Sequence, residues 1–92
     1  MQNQEPPKIV FPCPGYLIKV LGDNAEDFQN FVIDTLKTIV PEDDIDLLAM
    51  KSAASRNGRF LSVSIKIVAQ SEAQLSQIHK TFMDSGRVKM VM

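Results

Sequence analysis

Residues 55–69, Ser-Arg-Asn-Gly-Arg-Phe-Leu-Ser-Val-Ser-Ile-Lys-Ile-Val-Ala, read as a turn that feeds a strand. Leu61, Val63, Ile65, Ile67 and Ala69 alternate with Ser62, Ser64 and Lys66, the pattern of a strand with one buried and one wet face. Asn57-Gly58 signals a hairpin, because both residues tolerate positive φ. A hairpin needs an earlier strand to pair with, and Ile45 to Ser52 is the segment in position. Its face is ambiguous: Asp46 argues that Ile45, Leu47 and Ala49 point inward, yet Lys51 shares their parity and Leu48 and Met50 compete for burial. That ambiguity fits an edge strand and leaves the clean strand for the sheet centre.

Beyond Ala69 the period changes. Ser71-Glu72-Ala73-Gln74 is a capping box, and Leu75, Ile78, Phe82 and Met83 form an apolar stripe at helical spacing. Gly86 ends that helix where left-handed geometry is needed. Val88, Met90 and Met92 then alternate with Arg87, Lys89 and Val91 as a last strand. Toward the N-terminus, the acidic turn Glu42-Asp43-Asp44 is preceded by a helix with Phe28, Phe31, Val32, Leu36 and Ile39 on its apolar side. Asp23 or Asn24 caps it and Pro41 stops it. Tyr16 to Leu21 is a strand, broken by Gly22 and Asp23. Pro6, Pro7, Pro12 and Pro14 exclude helix before it, so residues 1–14 read as an extended proline-containing arm and 15–92 as one domain. The order βαββαβ is that of the α+β ferredoxin-like sandwich. It has a four-stranded antiparallel sheet with the first and third strands central and both helices on one face.

Composition narrows the function classes. The chain has 92 residues, 45% hydrophobic and 23% charged, which suits one globular domain. One cysteine excludes an intrachain disulfide, and one histidine beside it makes a Cys/His zinc site a poor reading. No apolar run is long enough to span a membrane, and Met1 to Pro7 has no secretory pattern, so the expected location is cytoplasmic. The net charge of −1 hides an asymmetry. From Asp23 to Asp46 every charged side chain except Lys37 is acidic; from Leu47 onward only Glu72 and Asp84 oppose the bases. A domain polarised in this way can orient toward a charged partner.

Phe11-Pro12-Cys13-Pro14, the run from Ser55 to Ile65 and the closing Met90-Val91-Met92 resemble the YbeD-like family of small bacterial proteins. The resemblance covers the chain from about Phe11 to Met92, and its most specific part is the glycine turn leading into Ser62-Val63-Ser64-Ile65. It implies a βαββαβ fold similar to the amino-acid-binding ACT regulatory domains, with no established activity. Members of the family often lie near lipoate-metabolism genes, which hints at a pathway and not a mechanism.

Single residues point to no reaction. His79 borders the stripe of the last helix without a nucleophile or polarising partner in reach. Cys13 lacks a paired cysteine or a local basic cluster. Glu42-Asp43-Asp44 lacks the spaced acids and turn glycine of a cation loop. No catalytic, cofactor-binding or metal residue is therefore assigned, and the expected cofactor set is empty. Gly22-Asp23-Asn24, between the first strand and helix, is the candidate ligand junction of an alternative reading. In that reading an ACT-like sensor binds an amino acid or related metabolite at free helix-start amides.

The main candidate is the open sheet face. With Tyr16, Ile18, Leu61, Val63, Val88 and Met90 toward the helices, alternation sends Lys19, Lys66 and Lys89 to the opposite side, beside Ser62, Ser64, Leu17, Leu21 and Val91. This mixed basic and apolar surface suggests association with another protein or a second copy. Arg56, Asn57, Gly58 and Arg59 at the hairpin form a second candidate contact. Nucleic acid is disfavoured, because Leu17, Lys19, Ser62 and Ser64 supply no stacking ring on the central strands. The leading expectation is a non-enzymatic interaction or regulatory module.

Overall fold

The computed structural model describes residues 10–92. Its elements are β1 (Cys13–Asp23), α1 (Phe28–Lys37), a single 3-10 turn (Glu42–Asp44), β2 (Ile45–Ala54), β3 (Phe60–Ala69), α2 (Glu72–Asp84) and β4 (Val88–Val91). The strand order is β2-β3-β1-β4, with every neighbouring pair antiparallel. The expected ferredoxin-like βαββαβ sandwich is therefore present. The clean strand β3 and β1 lie at its centre, and the ambiguous strand β2 lies at an edge.

One face of the sheet carries the core. Ile18 and Val20 from β1 and Val63, Ile65, Ile67 and Ala69 from β3 meet Phe28, Val32 and Leu36 from α1 and Ile78 and Phe82 from α2, all buried. Removing each such large side chain from water contributes roughly 1.5–3 kcal/mol, so the helices dock by apolar burial rather than by propensity. The Ser71 hydroxyl accepts from the Gln74 amide at 3.1 Å, while Gln74 Oε1 accepts from the Gln70 amide at 2.8 Å, one residue further back than an ideal capping box. Gly86, at φ 78°, follows α2 in the left-handed region.

Several local expectations change, most of them where the strands are irregular. β1 starts at Cys13, inside the expected arm. Gly15 at φ 70° sits in a register shift between Cys13 and Tyr16 that lets Cys13 pair with Ala69. Such an irregularity also tolerates Pro14, which has no N–H for the ladder. The first nine residues of that arm, with Pro6 and Pro7, lie outside the described residues. The hairpin is a five-residue loop, Ser55 to Arg59, in which Gly58 alone has positive φ, at 72°. The Asn57 carboxamide oxygen instead accepts from the Ser55 hydroxyl at 2.9 Å and the Arg59 amide at 3.1 Å. The N-cap of α1 is Asp27, not Asp23 or Asn24, and its side chain makes no capping bond. Met83 turns to solvent rather than joining the stripe of α2.

Candidate functional site

The face of the sheet away from the helices is laid out by strand register, since residues directly opposite one another in an antiparallel pair share a face. Lys51 of β2, Ser64 of β3 and Lys19 of β1 form one row. Lys19 also exchanges backbone hydrogen bonds with Met92, at 3.0 and 2.8 Å, which extends that row. The next row holds Asp46, Lys66 and Leu17; on the other side lie Ala53, Ser62, Leu21 and Met90. The face is thus graded: hydroxyl and ammonium groups lie mainly over β2 and β3, while the aliphatic side chains over β1 and β4 surround the Lys19 ammonium. Leu17, Met90 and Met92 are 53%, 48% and 60% exposed.

Two bulges explain where this face departs from simple alternation. Between Gly22↔Val88 and Leu21↔Met90, β4 carries one extra residue, Lys89. Val88 and Val91 therefore both face inward, Val91 opposite Val20, while Met90 moves to the open side. This reverses the expected sides of Met90 and Val91. The parity that placed Lys89 beside Lys19 stops at the bulge; Lys89 is exposed at the sheet margin without a face fixed by alternation. In β2, Leu47 to Met50 all stand against Ile65, between Asp46↔Lys66 and Lys51↔Ser64. Asp46 Oδ1 accepts from the Ala49 amide at 3.2 Å within this bulge, and Leu48 at its crest is 100% exposed. The parity clash between Ile45 and Lys51 was the sequence signal for it.

Among the described residues, Lys19, Lys51 and Lys66 have no carboxylate within 4.0 Å. The ion pairs lie elsewhere: Lys37 with Glu42, Lys80 with Asp84, and Arg87 with Asp27. The last is bidentate, at 2.7 and 3.1 Å, and the guanidinium also lies 4.6 Å from the Phe31 ring centre. The Arg87 hydrogen bonds hold the Asp27 carboxyl below its usual range, and Asp27 holds the guanidinium above its own. This clamp joins the start of α1 to the start of β4 across sixty residues of sequence, and no local pattern announces it.

The other two candidate sites meet each other. The Asn24 amide donates to the Arg59 carbonyl at 3.0 Å, and its carboxamide nitrogen donates to the Gly58 carbonyl at 2.9 Å. The hairpin tip is thereby tied to the strand–helix junction, with Arg56 and Arg59 exposed beside it. Gly22 and Asp23 belong to β1, and the ring of Phe28 and the carbonyl of Arg87 occupy the space above Gly22. The space above Gly22 is thus taken up by the protein's own core, while Asp23 and Asn24 stay exposed.

An open cleft of about 320 Å³ lies between Gly15, the 3-10 turn and Lys66. Of its acids, Asp44 accepts from the Gln70 side chain and Asp46 from the Ala49 amide. No group of three or more metal-ligating side chains is gathered among the described residues. His79 is exposed on α2, and Cys13 packs half-buried against the core. No helix among the described residues is long and apolar enough to cross a membrane.

Residues 6–92 match the family described as "Protein of unknown function (DUF493)". A UPF0250 protein of Ectopseudomonas mendocina is 46% identical over 88 residues, covering 96% of this chain and 94% of that one. The UPF0250 protein PA3998 of Pseudomonas aeruginosa is 42% identical, covering 96% and 92%. These matches agree with the YbeD-like resemblance of the hairpin and the Phe11 to Pro14 segment. Among solved structures, protein HP0495 from H. pylori superposes with a TM-score of 0.70 at 17% identity, covering 98% of this chain and 91% of that one. The C-terminal domain of the MgtC protein from Mycobacterium tuberculosis gives 0.61 at 14%, covering 92% and 89%. At such identities the likeness is one of fold.

Proposed function

The chain belongs to the DUF493 family, and from the layout of its open sheet face we propose that it is a non-enzymatic interaction module that docks another protein on that face. One observation carries the reading. Leu17, Met90 and Met92 stand about half exposed together around Lys19, on the side of the sheet that no helix covers. An antiparallel sheet that only meets water keeps that side polar, whereas contiguous exposed aliphatic side chains mark association surfaces. The lysines and serines of β2 and β3 supply the polar margin that non-obligate interfaces carry.

Site-specific photocrosslinking in bacterial cells tests this reading. A photoreactive side chain at Leu17 is expected to give adducts with a second protein, while the same group at Ser76, exposed on α2, gives none. Adducts from Ser76 alone would move the interface to the helices and end the assignment.

A further inference from the structure

We infer, resting on that reading, that the open face recognises an acidic amphipathic segment of a partner protein: Lys19, Lys51 and Lys66 take its carboxylates, and Leu17, Met90 and Met92 take its apolar side. The bulge in β2 makes the basic half. By swinging Lys51 out of the parity of Ile45, it places that lysine opposite Ser64, directly across from Lys19. Adjacent strands lie about 4.8 Å apart, so Lys19 and Lys51 flank the Ser64 hydroxyl at about 10 Å from each other. Lys66 follows Ser64 on the same face of β3 and stands diagonal to both, within reach of long side chains. Among the described residues none of the three ammonium groups has a carboxylate partner. Asp46, opposite Lys66, is the nearest acid by register, and its Oδ1 already accepts from the Ala49 amide. Lys19 and Lys51 face only the Ser64 hydroxyl between them, so an incoming set of carboxylates supplies the counter-charge that this row lacks.

The bulge in β4 makes the other half. Lys89 as the extra residue puts Met90 beside Leu21, while the hydrogen bonds of Met92 to Lys19 place it along the same margin. Methionine beside leucine suits helical ligands whose apolar side chains differ in shape. A row of lysines crossing β2, β3 and β1, bordered by Leu17, Leu21, Met90 and Met92, is the complement of a helix with aliphatic residues on one side and acids flanking them.

The same layout argues against other occupants. In a face-to-face pair of copies, Asp46 is the one side-chain carboxylate that the rows holding Lys19, Lys51 and Lys66 offer against the other copy's ammonium groups, so most of these are desolvated without a partner. Single-stranded RNA needs stacking rings, and Leu17, Lys19, Ser62 and Ser64 occupy the outward positions of the central strands.

The test is titration of the isotope-labelled full chain with a helical peptide of about 15 residues carrying leucine on one face flanked by glutamate, and with its glutamine counterpart. Amide shifts are expected at Lys19, Lys51, Ser64, Lys66 and Met90. The glutamate peptide should bind about tenfold more tightly at low salt. That preference should shrink as added salt shortens the screening length from about 10 Å toward 3 Å. Lys19→Glu/Lys66→Glu should abolish the preference, and the charge-matched Lys37→Glu/Lys80→Glu should keep it. Equal affinity for the two peptides, shifts confined to the helices, or no shift from either overturns the inference. So does tighter binding to phosphatidylserine vesicles or to oligouridine. Equal binding on the open face removes the acidic preference while leaving the docking face intact; loss of crosslinks from Leu17 removes the docking face itself.

Discussion

Gly22→Ala tests whether the first strand–helix junction is packing or a cradle for a ligand. The φ of Gly22 lies outside the left-handed region, so backbone conformation does not demand glycine there. Space does. A Cβ at this position falls 2.5 Å from the Arg87 carbonyl oxygen and 2.5 Å from Cε1 and Cζ of Phe28. Ordinary contacts between carbon atoms are about 3.5–4.0 Å, so each overlap is about 1 Å. The carbonyl belongs to the chain entering β4, where Gly22 pairs with Val88, and the Phe28 ring is fully buried; neither can swing away. Overpacking a rigid site costs roughly 1–3 kcal/mol, and two immobile neighbours put this one at about 3. Replacing a glycine inside a strand returns roughly 0.5–1 kcal/mol of chain entropy. A net loss of about 2 kcal/mol follows, or about 8–16 °C in Tm for a domain of this size. Urea titration should show a lower midpoint with unchanged slope. In a Phe28→Leu background the ring atoms are gone and the carbonyl stays, so the alanine penalty should fall by about 1 kcal/mol in a double-mutant cycle. A penalty below about 0.5 kcal/mol, or none of that coupling, refutes the packing account and reopens the junction to a ligand.

Other outcomes follow from the same geometry. Ser71→Ala removes the cap on α2 and should cost about 1 kcal/mol by urea titration. Gly58→Ala meets no neighbour but must hold φ 72°, so it should cost about 1 kcal/mol from strain alone, and Gly58→Asn less. Leu48→Ser at the β2 bulge should change stability by no more than about 0.5 kcal/mol, because that side chain buries nothing. Asp27 has its carboxyl lowered by Arg87, so its contribution is present above the unfolded carboxyl range and lost as pH falls through the depressed value. Wild type should therefore lose its small stability advantage over Asp27→Asn as the pH is lowered below the ordinary carboxylate range; an advantage that survives at the acid end contradicts the clamp.

The sandwich was legible because its signals are local or periodic. The alternation from Leu61 to Ala69, the Ser71 cap, Gly86 and the helical spacing of Phe28, Val32 and Leu36 each point to one element, and all are where they were expected. The site was legible only in part, because face assignment by parity assumes an unbroken ladder. Lys19, Ser62, Ser64 and Lys66 lie on the open side since β1 and β3 stay in register from Tyr16 to Asp23. Lys51, Met90 and Met92 were missed, and Lys89 misplaced, because the edge strands bulge against the regular centre. The conflict at Lys51 was visible beforehand: a lysine on the parity of Ile45 either faces the core or marks an inserted residue. The Asp27–Arg87 clamp and the contact of Asn24 with the hairpin depend on tertiary approach, which no spacing encodes.

The docking claim is tested most directly by capture from a bacterial lysate at low salt with three baits: wild type, Lys19→Glu/Lys66→Glu and Lys37→Glu/Lys80→Glu. The two variants carry the same charge change, and both alter exposed side chains whose ammonium groups contribute little to folding. The open-face variant should fold as wild type does and lose the captured protein, while the helix-side variant keeps it and shows the same dependence on salt. Retention of the same protein by folded Lys19→Glu/Lys66→Glu at unchanged strength would contradict the account.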